Sequence, residues 1–165
     1  MRAIEHLDTH KPNQKVRFAI IGDRESDYSR SIHNVYEQLS EELQTRVSIV
    51  GETKDVGLYF SAADIFVCTS MIESFPKVIQ EAMFAGLAIV TTPVFGISEQ
   101  VKHDVSAKFF KPKDFIELSQ NLQLLIDDEH ECARLSHNAK LHLQRLPDYQ
   151  HMISEYEALI FEAIQ

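Results

Sequence analysis

The sequence predicts an α/β fold, a parallel sheet flanked by helices, and three observations carry that reading. Short apolar runs at 16–21, 46–50, 65–68 and 88–90 alternate with amphipathic stretches of helical spacing. The links between them are short, and strands joined through helices run parallel by right-handed crossovers. Two of the runs, 65–68 and 88–90, are apolar throughout, as in strands covered on both faces.

Taken in order, residues 2–10 read as the end of a helix, cut by Lys11-Pro12-Asn13. A strand over 16–21 is ended by Gly22-Asp23. Residues 27–44 form one amphipathic helix, with Ile32, Val35, Leu39 and Leu43 on one face. A strand over 46–50 ends at Gly51, and a short helix over 54–63 is entered through Thr53 as its N-cap. The helix over 76–85 carries Pro76 at its first turn and Gly86 just past its end, the favoured asymmetry. A helical turn over 97–101 and a short strand over 107–110 follow the strand at 88–90. The remainder is helical, over 113–126, 129–144 and 148–165. A doubly wound domain usually opens with a strand, whereas this chain opens with a helix, so its first strand is missing or lost.

The bulk properties narrow the function classes. With 165 residues, 44% hydrophobic and 25% charged, the chain is one ordinary globular domain with a real core. The net charge of −9 opposes nucleic-acid binding, which leaves a basic footprint. No run is long enough to cross a bilayer, and the polar N-terminus is no signal peptide. Cys68 and Cys132 make no disulfide framework; Cys68 reads as a small core residue, and a reducing cytoplasm fits. The eight histidines are scattered, without metal-ligand spacing, and read as surface residues; no metal site is expected.

Ligands in parallel sheets bind outside the carboxyl ends of the strands. Gly22-Asp23, Gly51-Glu52, the segment 70–75 and the segment 91–96 all fall at such ends. The densest of these places is ESFPKVIQE, Glu73 to Glu81, two carboxylates eight positions apart around a turn and a helix start. A helix N-terminus offers free N–H groups and a positive dipole end to phosphate. Carboxylates accept from hydroxyls on either side of it. Part of the segment is turn, so the carboxylates stand on the order of 10 Å apart, a span that fits a diphosphate between two sugars. The plainer reading makes Glu73 a loop acid favouring the helix start and Glu81 a surface helix acid. The neighbours Val78 and Ala82 suggest instead that Glu81 is partly buried, where it needs a partner. Lys77 is the one cation in the motif, and Arg24 and Lys54 lie near other strand ends. Gly96 permits close backbone approach, with Glu99 bracing that turn.

These residues resemble a known family. IVGETKDVGLYFSAADIFVCTS followed by MIESFPKVIQEAMFAGLAIVTTPVFGISEQV, about 47–101, is similar to the nucleotide-sugar-binding half of family 4, or group 1, retaining glycosyltransferases. The shared pattern is a strand ending in Gly, Ala-Ala-Asp, an apolar strand ending in Ser, Glu-x7-Glu, Glu-Ala-Met and Gly-x-x-Glu. Weaker similarity covers VRFAIIGDR and EYEALIFEAI. The resemblance implies a Rossmann-like domain, one half of a GT-B fold without its first strand. It implies a single donor-binding domain over 1–165, with a helix remnant at 1–10 and a C-terminal helix at 145–165.

The resemblance also implies roles. Glu73 takes the catalytic place, accepting from donor-sugar hydroxyls. Ser74, Phe75 and Pro76 form the turn beside sugar and diphosphate. Lys77 and Val78 sit by the phosphates, Glu81 accepts from the ribose, and the loops at Gly22 and Gly51 border the base. The implied substrate is a nucleotide-diphosphate sugar, with no cofactor and no metal. The implied reaction is transfer to an acceptor hydroxyl with retention. The implied location is cytoplasmic, or peripheral to a membrane in a full-length protein. Two parts of the pattern are absent: the basic Arg and Lys pair after the first strand, and the N-terminal acceptor-binding half, so this chain alone is expected to be inactive. Ala88 replaces a common proline, and 102–107 lacks the usual glycines. Two alternatives stand beside this reading. One is a GT-B sugar-nucleotide epimerase half. The other is a non-catalytic α/β nucleotide-binding or interaction module, for which an apolar face on the last helix (Met152, Ile153, Tyr156, Leu159, Ile160) offers a docking surface.

Overall fold

The computed structural model describes residues 1–10, 16–147 and 149–164. The break expected at Lys11-Pro12-Asn13, and Asp148 at the expected start of the last helix, lie outside them. Among the described residues, five strands form two parallel sheets. In the first, β1 (Phe18–Asp23) pairs with β2 (Val47–Gly51), Phe18 opposite Val47. The register shifts between Ile21 and Asp23, where Gly22 adopts φ 92°. The strand therefore runs through the glycine expected to end it. In the second sheet, β3 (Ile65–Cys68), β4 (Ala88–Thr91) and β5 (Lys108–Phe109) lie in that order. Ile65 stands opposite Ala88, and Val90 opposite Lys108. The fold is the α/β arrangement of parallel strands and flanking helices that the alternation predicts. The described strands, however, fall into two separate sheets.

Caps decide where several helices begin. Ahead of the strands, α1 (Arg2–His10) buries Ala3, Ile4 and Leu7. The hydroxyl of Ser26 accepts from the Ser29 N–H and starts α2 (Asp27–Glu37). The single helix expected over 27–44 is two helices, because Ser40 caps a new turn, α3 (Glu41–Gln44), by accepting from the Leu43 N–H at 3.3 Å. Serine competes for backbone groups and favours such ends over helix interiors. Leu39 and Leu43 stay buried all the same. The N-cap of α4 (Val56–Ala62) is Asp55, not Thr53; the Thr53 hydroxyl instead accepts from the Asp55 N–H at 3.0 Å. Asp114 and Asp128 cap α7 (Phe115–Asp127) and α8 (Glu129–Leu143). Between them in the chain order stand α5 (Lys77–Ala85) and α6 (Ile97–Gln100). Gly86 closes α5 at φ 78°, returning its N–H to the carbonyls of Ala82 and Met83.

β4 is buried at all four positions and organises the core. On one side Ile89 joins Ile79, Met83, Ile97 and Val101, and on the other Ala88 and Val90 join Leu118, Leu122, Leu125 and Leu135. That explains an apolar run without alternation. β3 departs from the expectation of two covered faces: Cys68 is buried, but Ile65, Phe66 and Val67 are half-buried, since one edge of this strand has no strand neighbour among the described residues. The last helix, α9 (Tyr149–Ile164), buries none of its residues, and Met152, Tyr156, Leu159 and Ile160 are exposed. The apolar face read from the sequence is thus uncovered by the described residues.

An ion cluster ties β5 to α8. Lys108 Nζ lies 2.7 Å from Asp104 and 3.2 Å from Glu131, while Arg134 donates twice to Glu131, at 2.7 and 2.9 Å. The Arg134 hydrogen bonds, then Lys108, pull the Glu131 carboxyl down to about 2. A depressed folded-state pKa contributes stability above the ordinary value of 4.5 that is lost as pH falls toward about 2. Glu131→Gln should therefore flatten the melting-temperature profile over that window and leave its slope near neutrality unchanged, which thermal melts from pH 2 to 7 would read.

Candidate functional site

The turn between β3 and α5 is built from strand end to helix start. Ser70 donates from its hydroxyl to Glu73 Oε1 at 3.0 Å and receives a weak contact from Cys68 Sγ at 3.4 Å. One carboxylate oxygen of Glu73 is so held, and the side chain is half-buried. Ser74 and Phe75 are exposed, and Pro76 is the N-cap of α5. Proline has no side-chain acceptor, so α5 starts uncapped, unlike α2, α7 and α8. The Ile79 N–H turns back to the Pro76 carbonyl at 3.2 Å. The N–H groups of Lys77 and Val78, at the positive end of the helix, carry no side-chain cap. A turn of this kind presents donors to an anion.

The segment after β4 locks that turn. Thr92, fully buried, donates from Oγ1 to the Ser70 carbonyl at 2.5 Å. Gln100, also fully buried, donates from Nε2 to the Pro76 carbonyl at 3.1 Å. Gly96 is pressed against the turn itself: a Cβ there would lie 1.6 Å from the Ser74 carbonyl oxygen. The preceding Phe95 takes φ 45°, an uncommon conformation for a side-chain-bearing residue. The close approach expected of Gly96 is therefore onto Ser74.

The remaining predicted residues lie at the ends of β1 and β2. Gly22 and Gly51 are exposed there, and Arg24 forms an ion pair with Glu52 across the two strand ends. Asp23 accepts from His33 Nε2 at 2.9 Å; hydrogen bonds from Ser29 and then His33 hold its carboxyl below the usual range.

The structure thus brings Glu73, Ser74, Phe75, Pro76, Lys77 and Val78 together on one turn. Glu81 lies one helical turn beyond Lys77 but is exposed, which corrects the expectation of partial burial. The apolar neighbours that suggested burial face elsewhere: Ala82 is buried and Val78 half-buried, on the side of α5 turned to the core. Glu81 makes no side-chain hydrogen bond or ion pair among the described residues. Sequence reasoning placed Thr92 only within the strand-end segment 91–96, with no role of its own, and missed Gln100. Thr92 follows the strand end directly, a signal that was legible; a buried glutamine in a four-residue helix leaves none. A cleft between α1 and α7, lined by His6, His10, Ser119 and Gln123, holds none of the motif residues.

The family model described as "Glycosyl transferases group 1" matches residues 1–142. This chain belongs to that family. Among the relatives of this group 1 glycosyltransferase chain is the Campylobacter jejuni "GalNAc-alpha-(1->4)-GalNAc-alpha-(1->3)-diNAcBac-PP-undecaprenol alpha-1,4-N-acetyl-D-galactosaminyltransferase". It is 25% identical over 165 residues, covering 98% of this chain and 43% of that protein. The crystal structure of Anabaena HepE in complex with UDP superposes with a TM-score of 0.82 at 27% identity, over 96% of this chain and 44% of that one. The C-terminal domain of a glycosyl transferase group 1 family protein from Francisella tularensis shares the fold, with a TM-score of 0.75 at 20% identity, over 88% of this chain and 76% of that one. The chain spans 43%, 17% and 25% of three curated relatives that it matches.

Proposed function

We propose that this group 1 glycosyltransferase chain is one donor-binding domain over 1–165, taking a nucleotide-diphosphate sugar for transfer to an acceptor hydroxyl with retention. The observation that carries the reading is the uncapped start of α5 at a strand's carboxyl end, with one carboxylate before it and one on its first turns. The diphosphate lies against the Lys77 and Val78 N–H groups, with the Lys77 ammonium beside it. Ribose hydroxyls donate to Glu81. Sugar hydroxyls donate to Glu73, whose other oxygen stays oriented by Ser70. Ser74, Phe75 and Pro76 line the sugar, and Gly22 and Gly51 border the base. UDP bound by HepE, a 27% identical structure, supports a nucleotide at this family's site. The reading invokes neither metal nor organic cofactor. An acceptor-binding half completes the active site, and a cytoplasmic place belongs to the same proposal. No described helix is long and apolar enough to cross a membrane.

Thermal melts with UDP, GDP, ADP and their sugar conjugates test it. Ligand at 100 times its dissociation constant adds about 2.7 kcal/mol. One nucleotide should raise the melting temperature, and its sugar conjugate should raise it further. Glu73→Ala should erase only the increment due to the sugar. No shift with any nucleotide at millimolar concentration overturns the proposal.

A further inference from the structure

His6 and His10 stand four residues apart on α1. On a helix that spacing sets two imidazoles on one face, one turn apart. It is metal-ligand spacing, which corrects the expectation that none of the eight histidines has it. The ring centroids lie 4.3 Å apart, with 32° between the planes. Both rings line the cleft between α1 and α7, of about 530 Å³, which no residue from Glu73 to Glu81 lines.

Hydrogen bonds decide which nitrogen of each ring is free. His10 Nδ1 lies 2.7 Å from the His6 carbonyl oxygen. A carbonyl only accepts, so Nδ1 carries the proton, and in the neutral ring Nε2 keeps its lone pair. His6 Nδ1 lies 3.0 Å from the hydroxyl of Ser119, a buried residue of α7. A hydroxyl accepts as well as donates, so it can take the Nδ1–H of His6 while Nε2 serves as a ligand. Neither Nε2 has a hydrogen-bond or ion-pair partner among the described residues. Metal-binding histidines are held in this way, one ring nitrogen donating to an oxygen and the other left for the ion. Phe115 packs edge-on against His6, centroids 6.2 Å apart, and restricts how that ring turns.

The surroundings suit a cation. Asp127 and Asp128 line the same cleft, and the chain carries a net charge of −9. Both carboxylates have structural partners: Asp127 accepts from Gln123 Nε2 at 2.8 Å, and Asp128 caps α8. Among the described residues no group of three His, Cys, Asp or Glu is placed to hold an ion. The two imidazoles are therefore the protein ligands, and water fills the other positions. A nitrogen pair disfavours Mg²⁺ and Ca²⁺, which take oxygen, and favours transition ions, Cu²⁺ ahead of Ni²⁺ and Zn²⁺.

We propose that His6 and His10 form a two-imidazole site for one divalent transition-metal ion, bound through both Nε2 atoms and separate from the Glu73–Glu81 motif. The ion ties one turn of α1 to the next. That helix packs Ala3 and Leu7 with Ala88 and Val90 of β4, and Ile4 with Val47 of β2, so an ion on it steadies contacts to both sheets.

The test needs no nucleotide. The 165-residue chain is freed of metal by chelation, and Cu²⁺ alone is the probe. Calorimetric titration should give one strong site per chain, and the electron paramagnetic resonance spectrum should show two coordinated imidazole nitrogens. Cu²⁺ should raise the melting temperature, as a ligand of the folded state does, and Mg²⁺ should not. His10→Ala and His6→Gln should each weaken binding by at least about tenfold and leave one imidazole nitrogen in the spectrum. His10 is exposed, so His10→Ala should melt with the wild type in the absence of metal, and its loss of binding then reads the ligand and not the fold. No saturable site, one nitrogen only in the wild type, or unchanged binding in either variant overturns the proposal. Several weak, equal sites spread over the other histidines would mean an adventitious ion only, and overturn it as well.

Discussion

Gly96→Ala should cost about 2–3 kcal/mol and disorganise the candidate site at the same time. The backbone at Gly96, φ −65° and ψ −8°, is one that alanine adopts freely, so conformational strain is not the cause. The cause is contact. The new methyl would stand 1.6 Å from the Ser74 carbonyl oxygen, 2.8 Å from its carbon and 3.3 Å from Phe75 Cδ2. Two of those three atoms are backbone and cannot rotate away. Either the Ser74–Pro76 turn moves or α6 lifts, and α6 holds Ile97, Gln100 and the adjoining Val101 at full burial. For a chain of this size the loss corresponds to roughly 4–12 °C in melting temperature. Gly57→Ala is the control: a Cβ there meets nothing within 4 Å, and the position is in α4. That change should be neutral or slightly stabilising. A Gly96→Ala protein that melts with the wild type would refute the account of this turn.

Glu81→Ala should leave stability within about 0.5 kcal/mol and weaken nucleotide binding by about ten- to a hundredfold. Both halves follow from the corrected position of this residue. An exposed carboxylate without a partner contributes little to folding, so its removal creates no orphaned group. Hydrogen bonds from ribose hydroxyls to a charged acceptor are each worth about 1.5–3 kcal/mol. Titration calorimetry with the nucleotide that stabilises the wild type reads the affinity, and a melt reads the stability. Unchanged affinity would remove Glu81 from the site while leaving the Lys77 and Val78 amides in question. Loss of both affinity and stability would show that the carboxylate supports the helix rather than the ligand.

Much of the molecule was legible before its coordinates. The periodicities located every strand and the main helices to within a few residues, because buried faces impose spacing on the chain. The reading failed where local chemistry competes with periodicity. Ser40 divides one amphipathic run into two helices by offering the backbone a cap, although Leu39 and Leu43 keep their places in the core. Thr53, expected to cap α4, instead accepts from the Asp55 N–H, and Asp55 takes the N-cap position two residues later. For Glu81, apolar neighbours were read as burial, but a helix turns by 100° per residue and those neighbours face the core without it.

By itself the sequence determined the alternation of strands and helices, the family, and the turn from Glu73 to Pro76 leading into α5. These depend on local patterns, on residues close in the chain. Tertiary structure alone decided that Gly96 lies on Ser74, that Thr92 and Gln100 clamp the same turn from 22 and 24 residues away, and that the described strands divide into two sheets. Such contacts are fixed by how segments stack across the sheet. No spacing along one segment encodes which backbone group of another will face it.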